Sequence, residues 1–176
     1  MQSTENAGIE SDLSAFEALF QSHGPRMKSL ALNILGNRAD AEDAVQEAFL
    51  KVYRSRGDFR GEASPSTWLY RILVNTCYDM GRKRRRHPEG PELEETDVSR
   101  APAIDHPLRL TLQKALGRLP SRQRDVFLLF EVEGFKHAEI GTILGIPEGT
   151  SKSVLFDAKR ALQGFIRDER RATRAS

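Results

Sequence analysis

The sequence predicts an all-α protein built from two small helical domains joined by an extended acidic linker. Three observations carry this. Apolar residues recur at i, i+3, i+4 and i+7, as in Ala41, Ala44, Val45, Ala48, Phe49, Val52 and Tyr53. From His87 to Pro107 the composition turns to Pro, Gly, Glu and Asp, with too few apolar residues to build a core. Beyond that stretch, Ala138, Ile140, Ile143 and Leu144 put a narrow apolar stripe on a short helix; Gly145 suits the left-handed residue that ends it, and Pro147 suits the first turn of the next. The result is a helix-turn-helix. The boundaries read 1–86, 87–107 and 108–176.

The composition limits the function classes. A chain of 176 residues holds one ordinary domain or two small ones. Hydrophobic content of 39% with 30% charged residues describes a soluble, folded chain. The net charge of +2 is small, but the charges are blocked along the chain, so local fields dominate. No run reaches the roughly eighteen apolar residues of a membrane span. The polar, acidic start from Met1 to Asp12 lacks the basic-then-apolar pattern of a signal peptide, so a cytoplasmic location without membrane insertion is expected. Cys77 is the single cysteine, which excludes an intrachain disulfide and a multi-cysteine zinc site; it should pack as a small apolar residue.

In the first domain, Phe16, Leu19 and Phe20, then Met27, Leu30, Ala31, Ile34 and Leu35, recur at helical spacing, with His23-Gly24-Pro25 as a break between two segments. Gly36-Asn37 reads as a C-cap pair and Asp40 as the opening of the next helix, 39–54. Asp40, Glu42, Asp43, Gln46 and Glu47 crowd the polar side of that helix. Acids in a first turn interact favourably with the helix dipole, which accounts for Asp40, Glu42 and Asp43 with no partner at all. A divalent metal held by Asp40, Asp43 and Glu47 is a second reading that no further ligand supports, and a protein docking face is a third.

Phe59 to Pro65 reads as a loop, with Ser64 as N-cap and Pro65 at the first helical position. The following helix directs Leu69, Ile72, Leu73, Thr76 and Met80 one way and Trp68, Arg71, Asn75, Tyr78, Asp79 and Arg82 the other. Such a face can stack on unpaired bases and grip phosphates, although Trp68 and Tyr78 can equally complete the core. Arg82, Lys83, Arg84, Arg85 and Arg86 repel one another, and a phosphate backbone would relieve that repulsion in a salt-dependent way.

The second domain opens at Leu108, with Leu112, Leu116 and Leu119 on a helix that Pro120 ends. Ser121 should cap the next helix, running to Gly134 with Val126, Phe127, Leu129 and Phe130 buried. In the helix-turn-helix, the second helix can project Glu148, Thr150, Ser151 and Lys152 into a major groove while the first braces it. The same turn also closes small helical bundles, and by itself does not decide between the two uses.

Taken together, Asp40-Ala-Glu-Asp-Ala-Val-Gln-Glu-Ala-Phe-Leu-Lys-Val-Tyr53, Ser66-Thr-Trp-Leu-Tyr-Arg-Ile-Leu-Val-Asn-Thr-Cys-Tyr-Asp79, and Leu119-Pro-Ser-Arg-Gln-Arg-Asp-Val-Phe127 through Leu144-Gly-Ile-Pro-Glu-Gly-Thr150 resemble the extracytoplasmic-function (ECF) group of bacterial RNA polymerase sigma factors, in the sigma-70 family. The resemblance implies sigma region 2 in residues 1–86 and sigma region 4 in 108–176, with region 3 replaced by the linker. It implies that Asp40, Glu42, Asp43, Gln46, Glu47, Phe49, Leu50 and Tyr53 dock on the beta-prime clamp helices of core RNA polymerase. Phe59, Arg60, Trp68, Arg71, Asn75, Tyr78, Asp79 and Arg82, Lys83, Arg84, Arg85, Arg86 would melt and hold the minus-10 element. Region 4 would sit on the beta flap and read the minus-35 element through Lys136, Glu148, Gly149, Thr150, Ser151, Lys152, Ser153, Lys159 and Arg160.

No catalytic residue, cofactor or metal is implied, and an anti-sigma factor is a common partner in the family. The acidic linker suits a polymerase channel built to carry RNA, or is simply a soluble tether. One departure concerns the minus-35 helix. Family members place basic residues along Gly-Thr-Val-Lys-Ser-Arg-Leu and the next turn, where this chain has Ser151, Val154, Phe156 and Asp157. Fewer cations weaken backbone contacts and alter which bases are read. Two other classes compete. A helix-turn-helix regulator that binds duplex DNA without polymerase would be a dimer on palindromic sites and has no need of the Trp68–Arg86 helix. A DNA-processing enzyme would need Asp40, Asp43 and Glu47 on a metal.

Overall fold

The computed structural model describes residues 2–55, 61–86 and 107–174. Phe59, Arg60 and the linker over 87–106 lie outside the described residues, as does the side chain of Phe16. The chain divides into two units, Met1–Pro91 and Glu92–Ser176.

The first unit contains α1 (Gln2–Leu35), α2 (Arg38–Arg54) and α3 (Pro65–Arg86), all three packed on one another. Its core is Met27, Leu30 and Ala31 from α1, Ala41, Ala44, Val45, Ala48, Phe49 and Val52 from α2, and Leu69, Tyr70, Leu73, Val74 and Cys77 from α3. The expected core of α2 is found except for Tyr53, which is 40% exposed. On α3 the buried face is broader than expected: Tyr70 and Val74 join it, while Ile72 and Met80 are only half-buried.

The expected break at His23-Gly24-Pro25 is absent, because α1 runs through Pro25 without interruption. A proline inside a helix removes one backbone bond and crowds the preceding turn. Here the segments on both sides of Pro25 are held by the same unit: Phe20 packs edge-on against Phe49 at 4.5 Å and His23 against Tyr70 at 5.8 Å, while Met27, Leu30 and Ala31 are buried beyond it. Tertiary packing outweighs the local signal. The start of α2 also differs. Gly36 closes α1 through its N–H to the Leu32 carbonyl at 2.8 Å, and Asn37 is the N-cap of α2, its side chain accepting from the Asp40 N–H at 2.8 Å. Asp40 therefore sits inside the first turn.

The second unit contains α4 (Pro107–Arg118), α5 (Ser121–Phe127), a π turn over Leu128–Val132, α6 (His137–Leu144) and α7 (Glu148–Arg174). The long α7 packs along α4, α5 and α6. Ala115, Leu116, Leu119, Val126, Leu128, Leu129, Phe135, Ile140, Ile143, Leu155, Ala158 and Leu162 form the core. Leu112 is 38% exposed, and Ala138, expected on the apolar stripe of α6, is exposed. Pro120, not Ser121, precedes the first turn of α5, its carbonyl accepting from the Arg124 N–H at 3.1 Å.

A π turn follows α5 directly. The Glu133 N–H reaches back five residues to the Leu128 carbonyl at 3.0 Å, which widens the helix and rotates the residues beyond it. Burial departs from the expectation at two positions: Leu128 is buried, in helical phase with Asp125, whereas Phe127 and Phe130 are half-buried. Among the described residues, no helix is long and apolar enough to cross a membrane.

Candidate functional site

On α2 the helical period separates two faces cleanly. Phe49 is 4% exposed and packs beneath Phe20, in register with Ala41, Val45 and Val52; it supports the surface from below and is not part of it. Leu50, 49% exposed, and Tyr53 lie outward with Asp43 and Gln46 at i, i+3, i+7 and i+10 spacing. Large apolar side chains left in water beside carboxylates and an amide are the chemistry of a protein contact.

The other acids of this face are already engaged. Asp40 Oδ2 accepts from Asn37 Nδ2 at 2.7 Å and from the Arg84 guanidinium at 2.7 Å. Glu42 accepts from Lys28 at 2.6 Å and Arg38 at 3.0 Å, and these hydrogen bonds, Lys28 first, hold its carboxyl below the ordinary glutamate range. Glu47 pairs with Lys51 at 3.8 Å. Among the described residues, no group of three His, Cys, Asp or Glu side chains is arranged to hold a metal.

Helix α3 begins where the sequence places it. Ser64 caps it, its Oγ accepting from the Thr67 N–H at 3.2 Å and its carbonyl from the Trp68 N–H at 3.0 Å, with Pro65 at the first helical position. Arg71, Asn75, Asp79, Arg82, Lys83, Arg85 and Arg86 are exposed, and Trp68, Tyr78 and Arg84 are half-buried. The aromatics are thus neither wholly in the core nor wholly in solvent. Asp79 pairs with Arg82 one turn on. The four cations of the last turn, Lys83 to Arg86, also complement the negative end of the α3 dipole, a local reason for the helix to tolerate them.

Between α2 and α3 lies a cleft of about 580 Å³ lined by Glu47, Lys51, Thr76, Asp79, Met80, Arg82, Lys83 and Arg86. Lys51 belongs to this cationic cluster, although the sequence shows it only as the i+4 partner of Glu47. Its ammonium donates to Thr76 Oγ1 at 3.1 Å, whose hydroxyl in turn donates to the Ile72 carbonyl at 2.8 Å.

In the second unit the turn between α6 and α7 depends on two glycines. Gly145 sits at φ 65° and ψ 40°, the left-handed region expected of it, with its N–H on the Gly141 carbonyl. Gly141 is where the chain folds back: a Cβ there would meet the Ile146 carbonyl oxygen at 2.7 Å. Pro147 stands one residue before α7, its carbonyl accepting from the Ser151 N–H at 3.1 Å, and not in the first turn proper. Lys136, exposed at the head of α6, uses its backbone N–H on the Glu139 carboxylate at 2.9 Å.

Ser151 does not face outward. It is fully buried with Oγ 3.0 Å from His137 Nδ1, and His137 stacks on Phe130 at 4.6 Å, so Ser151 is a strut between α6 and α7. The period that buries Leu155, Ala158 and Leu162 buries Ser151 with them. Glu148, Gly149, Lys152, Ser153, Lys159 and Arg160 are exposed, and Thr150 is half-buried. Two of these cations are shared with carboxylates of the chain. Lys152 pairs with Glu148 at 2.7 Å, which lowers the Glu148 carboxyl below its ordinary value, and Lys159 pairs with Glu131 of the π turn at 2.5 Å. Phe156, absent from the expected set, is 67% exposed on this helix.

Comparison with known proteins agrees with this arrangement. The family model for Sigma-70 region 2 matches residues 19–87 and the model for Sigma-70, region 4 matches residues 109–162. The chain is 36% identical over 160 residues to the ECF RNA polymerase sigma factor SigM of Mycobacterium tuberculosis, covering 91% of this chain and 81% of that protein. It is 30% identical over 176 residues to the RNA polymerase sigma-H factor of Pseudomonas aeruginosa, covering 89% and 91% of the two. Among solved structures, the sigma factor RpoE of Bartonella quintana, in complex with the anti-sigma factor NepR, superposes with a TM-score of 0.75 at 28% identity, covering 87% of this chain and 97% of that one. CnrH, in complex with the cytosolic domain of CnrY, shares the fold, with a TM-score of 0.67 at 23% identity over 89% and 90% of the two chains. A pair of helical units bearing these motifs, matched by both family models and by relatives along nine-tenths of its length, belongs to the ECF group of the sigma-70 family: the chain is a sigma factor of bacterial RNA polymerase, directing promoter-specific initiation of transcription.

Proposed function

We propose that residues 1–86 carry both the polymerase contact and the minus-10 contact, that residues 108–176 carry the minus-35 contact, and that the acidic 87–107 stretch tethers them. In this reading the chain performs no reaction of its own and works in the cytoplasm beside the polymerase. The polymerase surface is the outer face of α2: Asp43, Gln46, Glu47, Leu50 and Tyr53, flanked by Asp40 and Glu42, with Phe49 bracing it. The minus-10 surface is Trp68, Arg71, Asn75, Tyr78, Asp79 and Arg82 through Arg86, entered from Phe59 and Arg60. The minus-35 surface is Lys136, Glu148, Gly149, Thr150, Lys152, Ser153, Lys159 and Arg160, held in place by Ser151.

One observation carries the assignment. A single stripe on α3 begins at a half-buried tryptophan, passes through an exposed amide and ends in a run of arginines and lysine. Aromatic faces and amides replace the stacking and pairing that a melted strand loses, a cost of a few kcal/mol per base. The cations hold the adjoining backbone. A regulator that binds only duplex DNA gains nothing from such a stripe. The RpoE relative was solved with an anti-sigma factor bound, and a partner of that kind would control this chain by covering the same surfaces.

The test is transcription with purified core polymerase. Replacing Arg82, Lys83, Arg84, Arg85 and Arg86 by alanine should abolish permanganate reactivity of the melted promoter while leaving assembly with core intact. Asp43→Arg with Glu47→Arg should instead abolish co-purification with core. Melting at full strength in the first variant, or normal assembly in the second, would overturn the corresponding assignment.

A further inference from the structure

The inference rests on α7 being the helix that reads the minus-35 element. Phosphates repel carboxylates, so any acid on a DNA-reading face needs an account. The first half of α7 holds two. Glu148 is neutralised by Lys152 at 2.7 Å. Asp157 is exposed and has neither an ion pair nor a hydrogen bond among the described residues.

Burial shows which way Asp157 points. Ser151, Leu155, Ala158 and Leu162 form the stripe that packs on the rest of the unit. With 3.6 residues per turn, the opposite side carries Gly149, Ser153, Phe156, Asp157 and Arg160, all exposed. On that side the Ser153 hydroxyl donates to the Thr150 carbonyl at 3.0 Å, and Phe156 presents only an apolar ring. Asp157 is the one carboxylate among these five residues.

An ionised carboxylate can only accept. In the major groove guanine offers acceptors, thymine an acceptor and a methyl group, and adenine a donor flanked by the N7 acceptor. Cytosine alone offers its N4 amine with no acceptor on the same base. We propose that Asp157 accepts a hydrogen bond from the N4 amine of a cytosine in the minus-35 element, and is the specificity-determining residue at that position. The same charge disfavours the other bases: guanine and thymine give it no donor, and at adenine the N7 acceptor stands beside the single donor and repels it.

The experiment uses holoenzyme assembled from core polymerase and the full chain, a promoter library randomised across the minus-35 element, and sequencing of the bound fraction. The wild-type chain should enrich cytosine at one position. Asp157→Ala should lose that preference by about tenfold and leave the other positions unchanged. Asp157→Asn should move the same position toward adenine, whose N6 and N7 an amide matches. If both variants keep the wild-type preference at every position, Asp157 does not read the element, while base reading by α7 stands. If the wild-type chain itself enriches no base anywhere in the element, the parent assignment of α7 fails, and this inference with it.

Discussion

At the scale of single residues, the exposed ion pairs set how the molecule responds to acid. Glu42, held by Lys28 and Arg38, and Glu148, held by Lys152, both have carboxyls lowered below the ordinary glutamate value. A carboxyl depressed in the folded state contributes stability that is fully present above its unfolded pKa and is lost as the pH falls through the folded pKa. Stability should therefore decline on the acid side and stay flat near neutrality. Glu42→Gln and Glu148→Gln should each flatten that acid limb; both carboxyls are solvent-screened, so the effect should be small. Urea titrations between pH 3 and 7, a range of about four units around the carboxylate pKa, would show it, and an unchanged acid limb would mean that the pairs do not persist in solution. Single residues were also where the sequence was hardest to read. Ser151 sits within the proposed minus-35 motif yet is buried, which only the helical phase of its neighbours reveals; Phe49, proposed for the polymerase face, is buried on the apolar side where its own spacing puts it. Lys51 is hard to single out for the opposite reason, since it does not break the local pattern, and Phe156 stands out in the sequence only as a missing cation, with nothing to show that its ring is exposed.

At the scale of elements, the turn between α6 and α7 makes the sharpest claim. Replacing glycine by alanine inside a helix normally stabilises by about 0.5–1 kcal/mol. At Gly141 the added Cβ would meet the Ile146 carbonyl oxygen at 2.7 Å, and backbone cannot move aside as a side chain can. Overpacking costs about 1–3 kcal/mol and should win, so Gly141→Ala should lower the thermal midpoint. Gly149 in α7 has nothing within 4 Å of its missing Cβ, so Gly149→Ala should raise the midpoint. Equal shifts in the two variants would show that the turn is looser than described. Caps and turns such as Ser64-Pro65 and Gly145 were legible because their chemistry is local. The passage of α1 through Pro25 was not, because the side chains that hold it, Phe49 and Tyr70, come from other helices. The π turn was illegible because no residue type marks the five-residue bond from the Glu133 N–H to the Leu128 carbonyl.

At the scale of the whole molecule, the division into two helical units was readable from the abrupt change in composition at His87, since a segment with so few apolar residues cannot build a core of its own. What composition could not show is that the two proposed surfaces of the first unit share a bond. Asp40, on the proposed polymerase face, and Arg84, in the proposed DNA-binding run, meet at 2.7 Å. Asp40→Asn should release Arg84, raising the affinity of the free chain for single-stranded DNA and steepening its salt dependence by roughly one counterion. Anisotropy titrations over a salt series would measure it; an unchanged slope would mean that Arg84 never reaches the phosphates. The wider consequence is one of linkage. Whatever draws Asp40 away liberates a cation for the nucleic acid, and by reciprocity whatever occupies that cation leaves the carboxylate readier for its other partner. Recruitment and strand capture then reinforce each other through a single guanidinium, which would give the assembled machine a grip on DNA that the solitary subunit lacks.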